Sequence, residues 1–494
     1  MLTVQLLCCL TVSEELQTDR LSPIQVLEAF QWRAIQVNEK LNCAVRFLPD
    51  ARKMAELIEA KYRFQTRKPP LYGIPFSIKE SIVALSCSTL GYAQNLGKIN
   101  QKDAAMVTTI REAGGIPFVL TNVPQSLLSF SCSNPIFGTT LNPYDPSRTC
   151  GGSSGGEAAL ISSNGSVIGI GGDVGGSIRI PAHFCGIVGF KPTGDLFSHV
   201  GSYASVPGRP LICACLGPMA RDVDSVVLFM RIVLSLGMHN LDPYVIPFTF
   251  QEEVYTSEKI LTIGYYTDGF LPPISVCGRV VMMTKEMLEK KGHRLVKFNP
   301  PDIMHLAALS CGSCILDGGQ YIYDKLRNDI LDANTVYTYW MYFLPLWLRR
   351  LLGKILPSSM WRVRFLLNLF VEQWKNAGLD CLICPVNSCA ALPHSYPQKL
   401  LPAALFTIHY NLLNFPAGAV PCTNITESDE AELKQRYVVN DIFSSKVFNA
   451  FSKESIGLPV GVQCVALPFM DVVCLRLMSI IEECWTALKN TGCS

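Results

Sequence analysis

Serines set among glycines are the first residues in this chain that could do chemistry. Residues 151–193 read GGSSGGEAALISSNGSVIGIGGDVGGSIRIPAHFCGIVGFKPT. Ser153 and Ser154 sit between paired glycines, and Ser177 follows Asp173-Val174-Gly175-Gly176. A serine hydroxyl is a weak nucleophile at its free pKa and needs a positioned base. A glycine-rich turn can aim successive N–H groups at one spot, as stabilisation of an oxyanion requires. A lysine is a base only when neutral, and burial lowers its pKa by penalising the ammonium form. Lys79 ends the run Leu71-Tyr72-Gly73-Ile74-Pro75-Phe76-Ser77-Ile78-Lys79, whose Ile74, Pro75, Phe76 and Ile78 supply an apolar setting. The ordinary fate of a lysine beside Glu80 is solvation or a surface ion pair.

The elements around these residues decide between readings of the glycines. Gly/Ser composition alone gives a flexible linker. Here Glu157-Ala158-Ala159-Leu160-Ile161 continues as a helix and Val167-Ile168-Gly169-Ile170 as a short buried strand, so the glycines fall where elements join. Gly151-Gly152-Ser153-Ser154-Gly155 also fits G-x-S-x-G, the nucleophile elbow of α/β-hydrolases. An elbow needs a strong strand before it, whereas Tyr144-Asp145-Pro146-Ser147-Arg148-Thr149-Cys150 is turn-like, and no Asp/His pair stands out after it.

The stretch 151–193 resembles the core of the amidase signature family, hydrolases that use a Ser–cis-Ser–Lys triad. Similar runs flank it: 71–80, with the family's P-x-x-[IL]-K pattern at Lys79, residues 121–138 (TNVPQSLLSFSCSNPIFG) and residues 457–468 (GLPVGVQCVALP). The resemblance extends from about Leu16 to near the C-terminus and is strongest to members that cleave fatty-acid amides. It implies Ser177 as nucleophile, Ser153 as the bridging serine after a cis peptide bond, and Lys79 as base. The N–H groups of Val174, Gly175, Gly176 and Ser177 match the oxyanion hole, and Ser154 supports the network without carrying the proton. Leu127, Leu128 and Phe130 fall where such relatives line an acyl channel, although each also suits ordinary core packing. The implied chemistry needs neither metal nor organic cofactor.

The rest of the chain supplies the frame. Strand-like runs at 115–121 and 166–171 alternate with helical stretches at 104–113 and 221–236, which predicts an α/β architecture with a mixed, mostly buried sheet. The family fold, a large mixed β-sheet sandwiched between α-helices, agrees. Ser22-Pro23-Ile24-Gln25 predicts a capping box opening a helix to about Asn38. The apolar start, Met1 to Val12, is too short to span a bilayer and lacks a basic n-region, so it is expected as a packed helix running on into Leu16. We therefore expect one amidase unit over 1–494, with a helical segment 1–65, a signature core 71–235 and a cap-like insertion 336–370.

Composition narrows the partners. A net charge of +2 gives no reason to expect nucleic acid. The 20 cysteines lie mostly within apolar strings, where a reduced thiol packs as a small hydrophobe; without a secretory signal this favours a reducing compartment. Cys311/Cys314 and Cys381/Cys384 have zinc-like spacing, but 379–385 reads as a strand that sends its two thiols to opposite faces. Asn164-Gly165-Ser166 and Asn424-Ile425-Thr426 fit the glycosylation pattern and, without that signal, read as chance matches. His183, the histidine nearest the serines, is expected to be structural.

Residues 336–370 change character. Aromatics and leucines dominate, and Arg349, Arg350, Lys354, Arg362 and Arg364 have no acidic counterpart there. Leu344, Leu348, Leu351, Leu352 and Ile355 share a helical face, with Arg349, Arg350, Gly353 and Lys354 on the other, a pattern of interfacial helices dipping into lipid. The bland alternative is a core helix with an apolar stripe. The resulting expectation is a serine hydrolase of fatty-acid amides, with esters as an open second class. It works peripherally or monotopically at the cytoplasmic face of an intracellular membrane, and the resemblance adds a homodimer. A soluble amidase or amidotransferase-like subunit, and a lipid-binding protein without turnover, are the alternatives.

Overall fold

The computed structural model describes residues 4–84, 88–98, 102–208, 211–212, 214–269, 271–345, 347–348 and 360–491. Among these, eleven strands form one mixed sheet. Numbered in chain order, the strands are β1 (Ala44–Phe47), β2 (Pro75–Lys79), β3 (Ile116–Thr121), the short hairpin β4 (Ser133–Asn134) and β5 (Gly138–Thr139), β6 (Ile168–Asp173), β7 (Val188–Lys191), β8 (Cys215–Ala220), β9 (Thr262–Tyr265), β10 (Arg294–Lys297), β11 (Cys381–Pro385), β12 (Ala417–Asn424) and β13 (Pro459–Ala466). The sheet order is β1-β3-β2-β6-β8-β7-β12-β13-β11-β9-β10, with β4 and β5 apart. β2 runs parallel to both β3 and β6, whereas β6 to β13 by way of β8, β7 and β12 is antiparallel throughout.

Period-two alternation sorts side chains between two cores. On β11, Cys381 and Ile383 join the main core, while Leu382 and Cys384 join a second one with Phe370, Trp374, Phe406 and Tyr410. The sheet is therefore covered on both faces, and the expected split of the Cys381/Cys384 pair is observed. Helices Ser275–Lys290 and Asp471–Asn490 contribute Val280, Val281, Leu475 and Met478 to the main core; Ile303–Cys314, Met360–Asn376 and Leu405–Leu412 build the second.

Local expectations hold, with one correction. Ser22 and Gln25 form the capping box of helix Pro23–Leu41, which ends where Asn42 turns left-handed at φ 51°. The N-terminal segment is not one helix: a 3-10 turn at Val4–Leu6 gives way to helix Cys9–Gln17, whose start is capped by the Cys8 side chain. In the 336–370 stretch, Leu351, Leu352, Ile355, Arg349, Arg350, Gly353 and Lys354 lie outside the described residues, as do the Arg362 and Arg364 side chains. What is described divides between both readings. Leu366, Phe370 and Trp374, one helical turn apart, are buried in the second core, so helix Met360–Asn376 spends that stripe on the protein interior. Tyr337, Trp340, Phe343 and Trp347 stand exposed before it. No helix among the described residues is long and apolar enough to cross a membrane.

Candidate active site

The site forms at the C-terminal end of β2, where the chain delivers Lys79 into a closed interior. Lys79 is buried, and its Nζ lies 2.7 Å from Ser153 Oγ and 2.9 Å from the Gly172 carbonyl at the end of β6. Burial pushes its ammonium down to about 7, against the opposing pull of Asp173, Cys132 and Glu157. A neutral amine here can give one proton to Gly172 O and keep its lone pair for the Ser153 hydroxyl. That is the arrangement a base needs.

The serine loop precedes helix Gly155–Ser162. The Gly152–Ser153 peptide bond is cis, and the residues before it form turns and isolated bridges rather than a strand, so the α/β-hydrolase elbow does not apply. Ser154 donates its N–H to the Ser177 carbonyl at 3.1 Å, and its hydroxyl meets the Gly172 backbone at 3.3 Å. Both serine segments are thus stitched to the end of β6. Ser177 is half-buried, and its hydroxyl makes no hydrogen bond among the described residues, so the link from Ser177 to Ser153 is not closed in this state. Such bonds tighten when substrate fills the site.

The turn between β6 and helix Arg179–Cys185 is shaped by an ion pair that the sequence reading did not name. Asp173 accepts from Gly176 N at 2.8 Å and Ile178 N at 3.1 Å, and from Arg179 Nε and Nη2 at 3.0 and 2.9 Å. Arg179 continues to Thr407 O, Gln463 Oε1 and Asn411 Oδ1. Burial raises the Asp173 carboxyl, but Arg179 and these donors outweigh it and hold it well below the usual carboxylate range. The available signal was Arg179 itself, a charge between two isoleucines, which requires a buried partner.

This turn narrows the expected set of four N–H donors. Gly176 gives its N–H to Asp173, while those of Val174, Gly175 and Ser177 have no partner among the described residues. Gly176 sits at φ +119°, and a Cβ there would collide with the Thr407 side chain. Only glycine fits that position.

The other expected residues scatter. His183 is buried; its Nδ1 accepts from Gly461 N at 2.9 Å and its Nε2 faces Cys389 O at 3.3 Å, which fixes a neutral ring. Burial lowers it to about 4, so it is structural as expected. Phe130 is buried in the main core, whereas Leu127 and Leu128 pack partly buried against Leu90, Tyr92, Val206, Tyr339 and Tyr342. Cys311 and Cys314 lie on one helix, and no group of three metal-binding side chains occurs among the described residues.

Residues 25–475 match the family described as Amidase. Fatty acid amide hydrolase 1 of Caenorhabditis elegans is 40% identical over 496 residues, covering 95% of this chain and 86% of the relative. Fatty-acid amide hydrolase 1 of Sus scrofa is 40% identical over 499 residues, covering 95% and 84%. A solved structure of a fatty acid amide hydrolase shares the fold with a TM-score of 0.84 at 24% sequence identity, over 98% of this chain and 86% of that one.

Proposed function

The chain belongs to the amidase signature family and is an amide hydrolase, and on that premise we propose that it cleaves fatty-acid amides with Lys79, Ser153 and Ser177. The observation that carries the reading is the buried 2.7 Å contact between Lys79 Nζ and Ser153 Oγ. Ser177 attacks the amide carbonyl while its proton passes through Ser153 to the lone pair of Lys79. The N–H groups of Val174, Gly175 and Ser177 receive the oxyanion, each such donor being worth about 3–4 kcal/mol in the transition state. Lys79 returns the proton through Ser153 to the leaving nitrogen, which departs as an amine. Water then repeats the sequence on the acyl-Ser177 and releases the acid. Ser154 holds the bridging serine against β6.

The fatty-acid preference is supported by the two 40% identical relatives named for that substrate class. Leu127 and Leu128, partly buried against an aromatic cluster, fit an acyl-lined wall. Exposed Tyr337, Trp340, Phe343 and Trp347 support contact with a membrane surface, where amphipathic rings sit at headgroup level. We take that surface to be the cytoplasmic face of an intracellular membrane, the chain to be one amidase unit with a cap-like 336–370 segment, and its assembly to be a homodimer.

The test compares a long-chain acylethanolamide with a short-chain amide of the same head group, with vesicles present, in wild type and Ser177→Ala. Long-chain turnover that vanishes in the variant supports the reading. Preference for the short amide moves the protein to a soluble amidase. Folded wild type without turnover of either would leave a lipid-binding role.

A further inference from the structure

Glu157 takes no part in the relay above, yet it is wholly buried beneath it. It lies in the first turn of helix Gly155–Ser162, directly after the serine loop. One carboxylate oxygen accepts from Ser77 Oγ on β2, and the other accepts from Thr121 Oγ1 on β3 at 2.6 Å. Ser77 also meets Ser166 Oγ at 2.8 Å. Ser77 and Lys79 are two residues apart on one strand and so share a face. On the neighbouring β6, Gly169 pairs with Ser77, and a Cβ there would overlap the Glu157 carboxylate. The space for this acid is built from three strands.

The charges around it leave Glu157 a particular role. Lys79 on β2 is the cation acting on it, Asp173 on β6 is already paired with Arg179, and burial holds Cys43 as a thiol; burial also raises Cys132, but hydrogen bonds with Cys150 and Thr140 and the charge of Lys79 outweigh it and lower that thiol. Glu80 turns to the N–H groups of Thr89 and Leu90. Glu157, like Glu80, is thus a buried acid without an ion pair among the described residues, and of the two it is the one on which Lys79 acts. When Lys79 takes the proton of Ser177, an ammonium appears in a dry site, and an unpaired buried charge is strongly disfavoured.

We infer that Glu157 is a positioning residue for the base: it ties β2 to β3 beneath Lys79 and adds negative charge that favours the Lys79 ammonium formed during acylation. The inference rests on the triad proposed above. Burial pushes the Glu157 carboxyl up to about 7, against the donors Ser77 and Thr121 and the charge of Lys79, so both groups change charge over the same pH range.

The test reads the base directly, so substrate preference does not enter. The rate of Ser177 labelling by a fluorophosphonate is followed against pH in wild type, Glu157→Gln and Glu157→Asp. Without the carboxylate the ammonium is less favoured, so the acid limb of the profile moves to lower pH by about one unit. The plateau rate falls about tenfold, because a weaker base removes the proton. Glu157→Asp keeps the charge and returns the midpoint towards wild type. If Glu157→Gln fails to fold, Thr121→Val serves instead: loss of one donor raises the Glu157 pKa and moves the limb the same way. A folded variant that labels slowly with an unmoved midpoint would overturn the inference and leave a packing role. A wild type that does not label at all would overturn the triad itself, and the inference with it.

Discussion

Arg179 and Asp173 form a fully buried, two-point ion pair, Nε to Oδ2 at 3.0 Å and Nη2 to Oδ1 at 2.9 Å, and the same carboxylate caps the N–H of Gly176 beside Ser177. The pair sets the course of the turn that presents Ser177. Arg179→Ala strands a buried carboxylate, and removal of one partner of such a pair costs about 3–5 kcal/mol. Arg179→Lys keeps the charge but not the planar fork. Both variants should lose most fluorophosphonate labelling of Ser177, with the larger drop in melting temperature for alanine.

The pH dependence has a definite sign. The proposed base, Lys79, can take a proton only when neutral, so amide hydrolysis should rise with pH through about 7 and then level. Stability follows the same group. Between about 7 and 10.5 the unfolded chain binds a proton at Lys79 that the folded chain does not, so this residue makes unfolding harder as pH rises. Lys79→Met should abolish turnover and flatten the stability slope measured by urea denaturation from pH 7 to 9.

Gly176→Ala should inactivate the enzyme while leaving most of the fold. Its φ of +119° and the Thr407 side chain leave no room for a methyl group. Backbone strain of this kind costs roughly 1–3 kcal/mol. Thermal unfolding would register that loss, and labelling of Ser177 should fall below detection because the turn shifts. An alanine variant with wild-type labelling would show that the turn adapts.

Membrane contact should separate from chemistry. Trp340 and Trp347 are 56% and 67% exposed and make no part of the lysine–serine site. Replacing both with serine should weaken co-sedimentation with lipid vesicles at least about tenfold, equivalent to about 1.4 kcal/mol. Hydrolysis of a short soluble amide should not change. Unaltered vesicle binding would send the search for a lipid surface elsewhere.

Much of this protein can be read along the chain. Glycine density at 151–156 and 173–177, the apolar approach to Lys79 and the capping box at Ser22 are local signals, because each depends on neighbours a few residues away. Short apolar runs located β3, β6 and β11 to within a residue or two, and the alternation of side chains along a strand separated Cys381 from Cys384. From these the mixed α/β fold followed.

What the tertiary structure alone decided is which distant groups meet. Arg179 finds Asn411 on the helix before β12 and Gln463 on β13. Glu157 finds Ser77 and Thr121 because parallel pairing of β2 with β3 and β6 brings those strands together. No spacing in the sequence encodes such a contact. It also settled how the stripe at Leu366, Phe370 and Trp374 is used: an apolar helical face is equally suited to lipid and to a core. Burial there was decided by Phe298 and Phe415, far away in sequence, meeting Phe370 edge-on at 5.4 and 5.8 Å. Hydropathy records the need to leave water, and only packing names the surface that answers it.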